Sequence, residues 1–340
     1  MNIKQIAKAA GVSVATVSRV MNHPETVAPK TREKIQAIIE EKEYKPNWFA
    51  RGLNFNETKT IGLIIPNMLN TMYMEMAKGV EDVAERKGYV VFICNTEKRR
   101  EMEKSYIEHM LTRRVDGLII MFSSLDAEYL KTVEEHDVPV MLIGRNKGLE
   151  GFNTVGIDSG AGAESMVRKL IDNGHRSIGI IYGDDPERES LEMLEGYRRV
   201  LKENGMEIKD EYIKLVNNTI EGGYLGAKKM IAGGAPEAIF ATSDEIAYGA
   251  MDAIKDSSLR VPEDIAVAGF GNSRMSNLVE PKLTTMEVPY HKMGVYGARL
   301  LFDLIEENDR TGENVKQIIL QTKIRIRKSC GHKDRIEEMF

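Results

Sequence analysis

From Thr60 onward, apolar runs of strand length alternate with stretches of helical periodicity, and this alternation constrains the fold more than any other feature of the chain. Ile61 to Ile65, Tyr89 to Ile93, Val115 to Met121 and Val138 to Ile143 read as four strands, separated by helices over 72–87, 99–113 and 126–136. A second series follows with Ile178 to Tyr182, Tyr212 to Val216, Ala238 to Ala241 and Ile265 to Phe270, and helices over 160–174, 189–205, 222–233 and 244–256. Runs this apolar suit strands buried on both faces, and βα alternation makes parallel pairing the simplest solution. Two series predict two parallel sheets. A last helix over 291–307 and two late strands over 316–320 and 323–327 find no evident partner in either series, so the chain is expected to cross back between the halves and leave a cleft.

The first 45 residues follow a different plan. Asn2 is placed to cap a short helix over 2–10 with Ile3, Ile6, Ala7 and Ala10 on one face, and Gly11 breaks it. Ser13 then caps a second helix, Val14 to Met21, whose Val17, Val20 and Met21 can pack inward. A third, Thr31 to Glu43, carries Ile35, Ile38 and Ile39 at helical spacing. Pro46 ends the unit. The brief helical segment Trp48 to Leu53 is too short, and too weakened by Gly52, to hold without support.

Charge divides near the same boundary. The 340 residues carry a net −5, yet residues 1–35 hold six basic against two acidic side chains, a balance of +4 that leaves −9 for the rest. A basic end suits phosphate contacts, and the acidic remainder is repelled by them. Cys94 and Cys330 are the only cysteines and stand far apart, so neither a disulfide framework nor a zinc site is expected. The first residues lack the apolar stretch of a secretory leader and no apolar run reaches membrane-spanning length, which points to the cytoplasm. There is no glycine-rich phosphate loop, Gly-x-Ser-x-Gly elbow or His-Glu-x-x-His helix, so the chain is not read as an enzyme, and no cofactor or metal is expected.

The stretch Ile3-Lys-Gln-Ile-Ala-Lys-Ala-Ala-Gly-Val-Ser-Val-Ala-Thr-Val-Ser-Arg-Val-Met-Asn22 has a physical logic at each position. Small Ala7 lets two helices cross closely, Gly11 permits the turn, and Ser13 starts a helix able to lie in a DNA major groove with its early residues on base edges. Val14 and Ala15 offer apolar surface to thymine methyl groups, and Arg19, one turn on, suits bidentate contact with guanine. Ser13, Thr16, Ser18, Asn22, His23 and Thr31 are placed to donate to phosphates, which sets register without reading sequence. The competing reading is a small helical bundle that binds another protein. The hydroxyl-rich helix, its arginine and the local positive charge weigh against it.

These residues resemble the lactose/galactose repressor (LacI/GalR) family of transcriptional regulators, whose signature Val12-Ser-Val-Ala-Thr-Val-Ser-Arg-Val-Met-Asn22 matches closely. The likeness continues through Lys30-Thr-Arg32, Tyr44-Lys-Pro-Asn47, Ala50-Arg-Gly-Leu53, Arg114-Val-Asp-Gly117, Gly174-His175, Arg260-Val-Pro262 and Pro281-Lys-Leu-Thr-Thr285. It implies an all-α helix-turn-helix headpiece over 1–45, a hinge helix and linker over 46–58, and a tail over 331–340. Between them, over 59–330, it implies an α/β core like the periplasmic binding proteins, built of two parallel-sheet subdomains, 59–158 with 289–319 and 159–288 with 320–330. The hinge would order in the minor groove when two chains meet over an operator, with Leu53 as the wedge that unstacks a base step; the alternative for Leu53 is an exposed linker residue. Asn2, Asn47 and Ala50 complete the DNA-contacting set. A homodimeric repressor on a pseudo-palindromic operator, tuned by a small-molecule effector, is the function the resemblance implies.

Members of the family that hold free sugars typically place an acid after the fourth strand, an arginine before a Gly-aromatic pair, an aromatic in the second subdomain and an Asp after a Gly-Tyr/Phe pair. Gly144, Met193, Asn218 and Gly271 stand there instead, so a neutral monosaccharide held by ionic hydrogen bonds is not expected. What remains is Asn67, Asn70 and Tyr73 after the first strand, Arg145 and Asn146 after the fourth, Ser243 and Asp244 before a helix, and Asn272. Arg145 suits an anionic ligand such as a sugar phosphate, or else pairs with a surface carboxylate; Asp244 holds the ligand, or caps its helix. Gly79-Val-Glu-Asp-Val-Ala84 is similar to catabolite-control-type members of the family, which brings in a phosphocarrier protein as the alternative co-regulator. Arg299 fits such a partner, whereas His291 and Lys292 would oppose it. Residues 331–340 hold no leucine heptad, so no tetramer-forming coiled coil is expected.

Overall fold

Local chemistry shapes the first helices. The computed structural model describes residues 3–42, 57–144, 148–149, 151–184, 189–307 and 315–331, and it divides into two units, 1–58 and 59–340. In the first unit α1 (Ile3–Ala10) stops at Gly11, whose φ of +68° is a left-handed conformation that side chains resist. α2 (Val14–Asn22) begins after Ser13, whose hydroxyl accepts the Thr16 N–H at 3.1 Å. α3 (Pro29–Glu41) opens earlier than the expected Thr31, because proline lacks only an N–H that a first turn leaves unbonded anyway. Ile6, Ala7, Ala10, Val17, Val20 and Ile35 close a small core, with Ile3, Met21, Ile38 and Ile39 at its margin. The expected hinge helix lies outside the described residues, as do residues 332–340.

The second unit contains two six-stranded sheets. The first comprises β1 (Thr60–Ile65), β2 (Val90–Asn95), β3 (Gly117–Met121), β4 (Val140–Ile143), β5 (Thr154–Ile157) and β11 (Gln317–Leu320), in the order β11-β5-β4-β3-β1-β2 and parallel throughout. The second comprises β6 (Ile178–Asp184), β7 (Ile213–Asn217), β8 (Ala238–Ala241), β9 (Ala266–Gly271), β10 (Thr284–Glu287) and β12 (Lys323–Arg325), in the order β12-β10-β9-β8-β6-β7. Helices α4 (Thr71–Lys87), α5 (Arg100–Thr112), α6 (Ala127–Glu134), α7 (Ser159–Asp172), α8 (Glu189–Glu203), α9 (Ile220–Ala232), α10 (Asp244–Asp256) and α11 (Tyr290–Glu307) connect the strands.

Two of these strands correct the sequence reading. β5 and β10 are four residues long and begin with threonines, so neither presents an apolar run. Their polar groups are nonetheless buried because they are satisfied: the Thr284 hydroxyl donates to the Arg327 carbonyl at 3.0 Å, and that of Thr285 to Asp244. They are the partners that the late strands lacked, β5 for β11 and β10 for β12, and the second pair is antiparallel, so this sheet is not wholly parallel as expected. The chain passes between sheets three times, after Ile157, after Glu287 and between Leu320 and Lys323. After the second passage α11 packs on the first sheet and crosses α4. That crossing is possible because a Cβ on Gly294 would stand 1.9 Å from the Met76 carbonyl oxygen.

Candidate functional site

The first unit presents α2 as an open edge. Val17 and Val20 point into the core, while Ser13, Val14, Ala15 and Arg19 are exposed, Val14 at 40%. The Arg19 guanidinium has no hydrogen-bond or ion-pair partner among the described residues. Thr16 and Ser18 are half-buried, and Ser13 Oγ lies 2.9 Å from Thr16 Oγ1, so these hydroxyls brace one another as well as the helix start. His23 is exposed and sits 3.6 Å from Glu25; Thr31 is half-buried in the first turn of α3, which no side chain caps. Asn22 closes α2 with its side chain outside the described residues, and Asn2, Asn47, Ala50 and Leu53 lie outside them altogether.

In the second unit a cavity of about 150 Å³ lies at the carboxyl ends of the parallel strands, the place where open α/β sheets gather ligands. Asn67, Asn70, Tyr73, Ser243, Asp244 and Asn272 all line it; Arg145 and Asn146 lie outside the described residues. The loop after β1 brings Asn67 and Asn70, α4 brings Tyr73, the start of α10 brings Ser243 and Asp244, and the end of β9 brings Asn272. Met193, Asn218 and Gly271 line it as well. Gly144 does not, and a Cβ there would meet the Phe122 ring at 2.7 Å, so Phe122 closes the space a side chain after β4 would need. That ring stands edge-on to Tyr73, centroids 5.7 Å apart.

Four asparagines share one arrangement. Asn67 Oδ1 accepts the Leu69 N–H and Asn70 Oδ1 the Met72 N–H, each at 2.9 Å; Asn218 Oδ1 accepts the Ser243 hydroxyl at 2.5 Å; Asn272 Oδ1 accepts Arg327 Nη2 at 2.7 Å. Each amide oxygen is engaged by the fold, and each amide nitrogen is left without an acceptor among the described residues. The cavity is therefore rich in neutral donors. Lys98 adds a cation, in a turn where it and Glu97 take φ of +58° and +52°, while Glu75, Glu189 and Glu245 add carboxylates. Burial pushes the Glu245 carboxyl above its ordinary range. Burial first, then Asp244, Glu189 and Glu245, holds the Tyr290 phenol well above its usual value, so it lines the cavity as a neutral hydroxyl.

Asp244 supports this wall from behind. It is 1% exposed, and its carboxylate accepts the Thr285 hydroxyl at 2.5 Å, the Ser273 N–H at 2.6 Å and the Ser276 hydroxyl at 2.8 Å. Burial raises its pKa, against the pull of those three bonds and of Arg327. The cap of α10 is Ser243, which accepts the Ile246 N–H, and not Asp244, which stands one residue further in. Lys98, Glu75, Glu189, Glu245 and Tyr290 escape a sequence reading, since they reach the cavity only through long-range assembly, Tyr290 behind a strand that has no apolar signature. Lys98, Phe122 and Asn272 all line the cavity with left-handed backbone, an oddity that a sequence does not display.

Residues 2–47 match the family profile described as bacterial regulatory proteins, lacI family, and residues 58–328 match that of periplasmic binding proteins and the sugar binding domain of the LacI family. Catabolite control protein A of Priestia megaterium is 35% identical over 304 residues, which covers 88% of this chain and 91% of that protein. Among solved structures, the lac repressor dimer bound to operator and the anti-inducer ONPF superposes with a TM-score of 0.86 at 26% identity, covering 97% of this chain and 99% of that one. The transcriptional regulator CelR in complex with cellobiose does so with a TM-score of 0.73 at 28% identity and the same coverage.

Proposed function

This chain belongs to the LacI family of bacterial regulatory proteins, DNA-binding transcriptional regulators with an effector-binding core and no enzymatic role, and from that premise we propose a cytoplasmic repressor that binds a pseudo-palindromic operator as a homodimer. One observation carries the reading: α2 turns Val14, Ala15 and an Arg19 without a side-chain partner among the described residues outward, while its Val17 and Val20 close the headpiece core. Arg19 takes guanine, Val14 and Ala15 take thymine methyl groups, and Ser13, Thr16, Ser18, Asn22, His23 and Thr31 set register on phosphates. Asn2, Asn47, Ala50 and Leu53 extend the contact, the last three from a hinge over 46–58 that joins a headpiece over 1–45 to the core. Arg19→Ala tests this. It should abolish preference for the selected operator while leaving the circular dichroism spectrum and non-specific binding in place; retained preference refutes the assignment.

The dimer is supported by apolar surface that a lone core would expose. β2 is an edge strand bearing Val90, Phe92 and Ile93 at 57, 43 and 47% exposure. A groove of about 840 Å³ on the other subdomain is lined by Met251, Met275 and Val279, beside Leu278 at 81% exposure. A second copy would cover both.

The ligand is a sugar or sugar phosphate bound between the two core subdomains. The amide donors of Asn67, Asn70, Asn218 and Asn272 suit sugar oxygens, Lys98 and Arg145 would receive a phosphate, and the neighbouring glutamates oppose one. By favouring one cleft geometry such a ligand shifts the population that binds DNA. A thermal-shift series of sugars, sugar phosphates and nucleotides tests it: a cognate ligand at a hundredfold excess over Kd adds about 2.7 kcal/mol of stability, and no shift with any of them refutes a ligand of these classes. The second reading is a phosphocarrier protein on the α4–α11 face. There Asp82 binds Lys78 at 2.9 Å and His291 at 2.8 Å, which lowers its pKa, whereas Arg299 forms no ion pair among the described residues. Tighter operator binding on addition of the phosphorylated carrier, but not of the unmodified one, would select it.

A further inference from the structure

The Arg114-Val-Asp-Gly117 motif takes no part in either site, yet it lies where the chain enters the core. Lys59, the residue before β1, has φ of +53°, which is unfavourable for a residue with a side chain. Its N–H donates to Asp116 Oδ2 at 2.7 Å, and the Asp116 N–H returns a bond to the Thr60 carbonyl at 2.8 Å. Its carbonyl accepts the Val90 N–H at 2.9 Å, and its ammonium lies 4.7 Å from the centre of the Tyr89 ring. Both strands flanking β1 therefore hold this one residue. Both supports in turn rest on α11: Tyr89 packs edge-on to Phe302 with centroids 4.8 Å apart, and a Cβ on Gly117 would already meet Leu301 at 3.0 Å. The opposite end of α11 is Tyr290, in the wall of the cavity. Eighteen helical residues span roughly 27 Å.

We infer that Asp116 is a positioning residue for DNA binding: its carboxylate holds Lys59 in the left-handed conformation at the point where the chain enters the core, with α11 as the rod that ties this anchor to the cavity. The inference rests on the operator reading above. A carboxylate suits the task, since a charge-assisted bond to the N–H is stronger than a neutral one and offsets the backbone conformation.

The test is operator binding by full-length wild type, Asp116→Ala and Asp116→Asn, measured by fluorescence anisotropy on a duplex that the wild type selects from a random pool, with the melting temperature of each. Asp116→Ala should bind about tenfold more weakly, the equivalent of one lost charge-assisted bond. Asp116→Asn, whose amide oxygen still accepts the Lys59 N–H, should stay within about threefold, and both should keep a cooperative melt within about 5 °C of wild type. Alanine binding as tightly as wild type, or asparagine losing as much as alanine, overturns the inference. If Asp116→Ala does not fold, hydrogen exchange in the wild type decides: protection of the Lys59 amide like that of β1 is expected, and exchange as fast as an unstructured segment overturns it. A wild type that selects no duplex overturns the operator reading and this inference together; one that selects while the alanine variant matches it overturns this inference alone.

Discussion

Asp244→Ala removes the acceptor on which the second sheet's side of the cavity wall converges. Of its three donors, the Ser276 hydroxyl can turn to the Tyr248 oxygen 2.8 Å away and the Thr285 hydroxyl can rotate, but the Ser273 N–H is fixed. One orphaned buried N–H costs about 1–3 kcal/mol and each lost charge-assisted bond about 1.5 kcal/mol or more, offset in part by no longer burying a carboxylate. A net loss of about 3 kcal/mol follows. With a urea slope of about 3 kcal/mol per molar, the midpoint should fall by about 1 M. Far-UV circular dichroism is the proper signal, because Trp48, the single tryptophan, precedes residues 59–340, the unit that carries Asp244. Asp244→Asn keeps an oxygen for the Ser273 N–H and should lose less than half as much. The pH dependence has a definite sign. Burial raises the folded pKa of Asp244, so its contribution to stability is full below the ordinary carboxylate range and is lost as pH rises through the raised value. The wild type should accordingly lose stability relative to Asp244→Asn across that interval. An alanine variant that unfolds within about 0.3 M urea of wild type would refute the reasoning.

Three further outcomes can be checked. Gly294→Ala should destabilise the core by about 2–4 kcal/mol, because its Cβ meets the Met76 carbonyl oxygen at 1.9 Å and α4 must move away from α11; an unchanged thermal midpoint counts against that crossing. Ser13→Ala should cost the headpiece about 1 kcal/mol through loss of the Thr16 N–H cap, read as earlier helix loss in a far-UV melt, and equal melting would remove the cap from the account. Tyr197→Phe should cost about 1–2 kcal/mol, since the fully buried hydroxyl donates to the Ile178 carbonyl at 2.7 Å and its removal leaves that oxygen unbonded; a neutral result in urea unfolding would count against this bond.

The headpiece was legible because its signals are local. Gly11, Ser13 and the spacing of Ile6, Ala10, Val17 and Ile35 act within a few residues of where they stand, and nothing distant competes with them. The strands with apolar runs were legible for the same reason. β5 and β10 were not, because their burial depends on threonine hydroxyls finding partners as remote in sequence as Arg327 and Asp244. The cavity divides along that line too. Asn67, Asn70 and Asn272 follow strand ends and could be picked out, whereas Lys98, Glu245 and Tyr290 reach it only once two sheets and three passages between them have assembled. For Asp244 the residue was singled out, but its carboxylate faces the protein's own donors and its neighbour Ser243 caps the helix. No periodicity encodes which way a side chain at a helix start will turn.

The central claim is that α2 reads base sequence, and competition binding tests it most directly. At physiological salt the full-length protein should hold a duplex enriched from a random pool at least about a thousandfold more tightly than randomised duplex of equal length. Equal affinity for the two, with the same dependence on salt, would contradict the account.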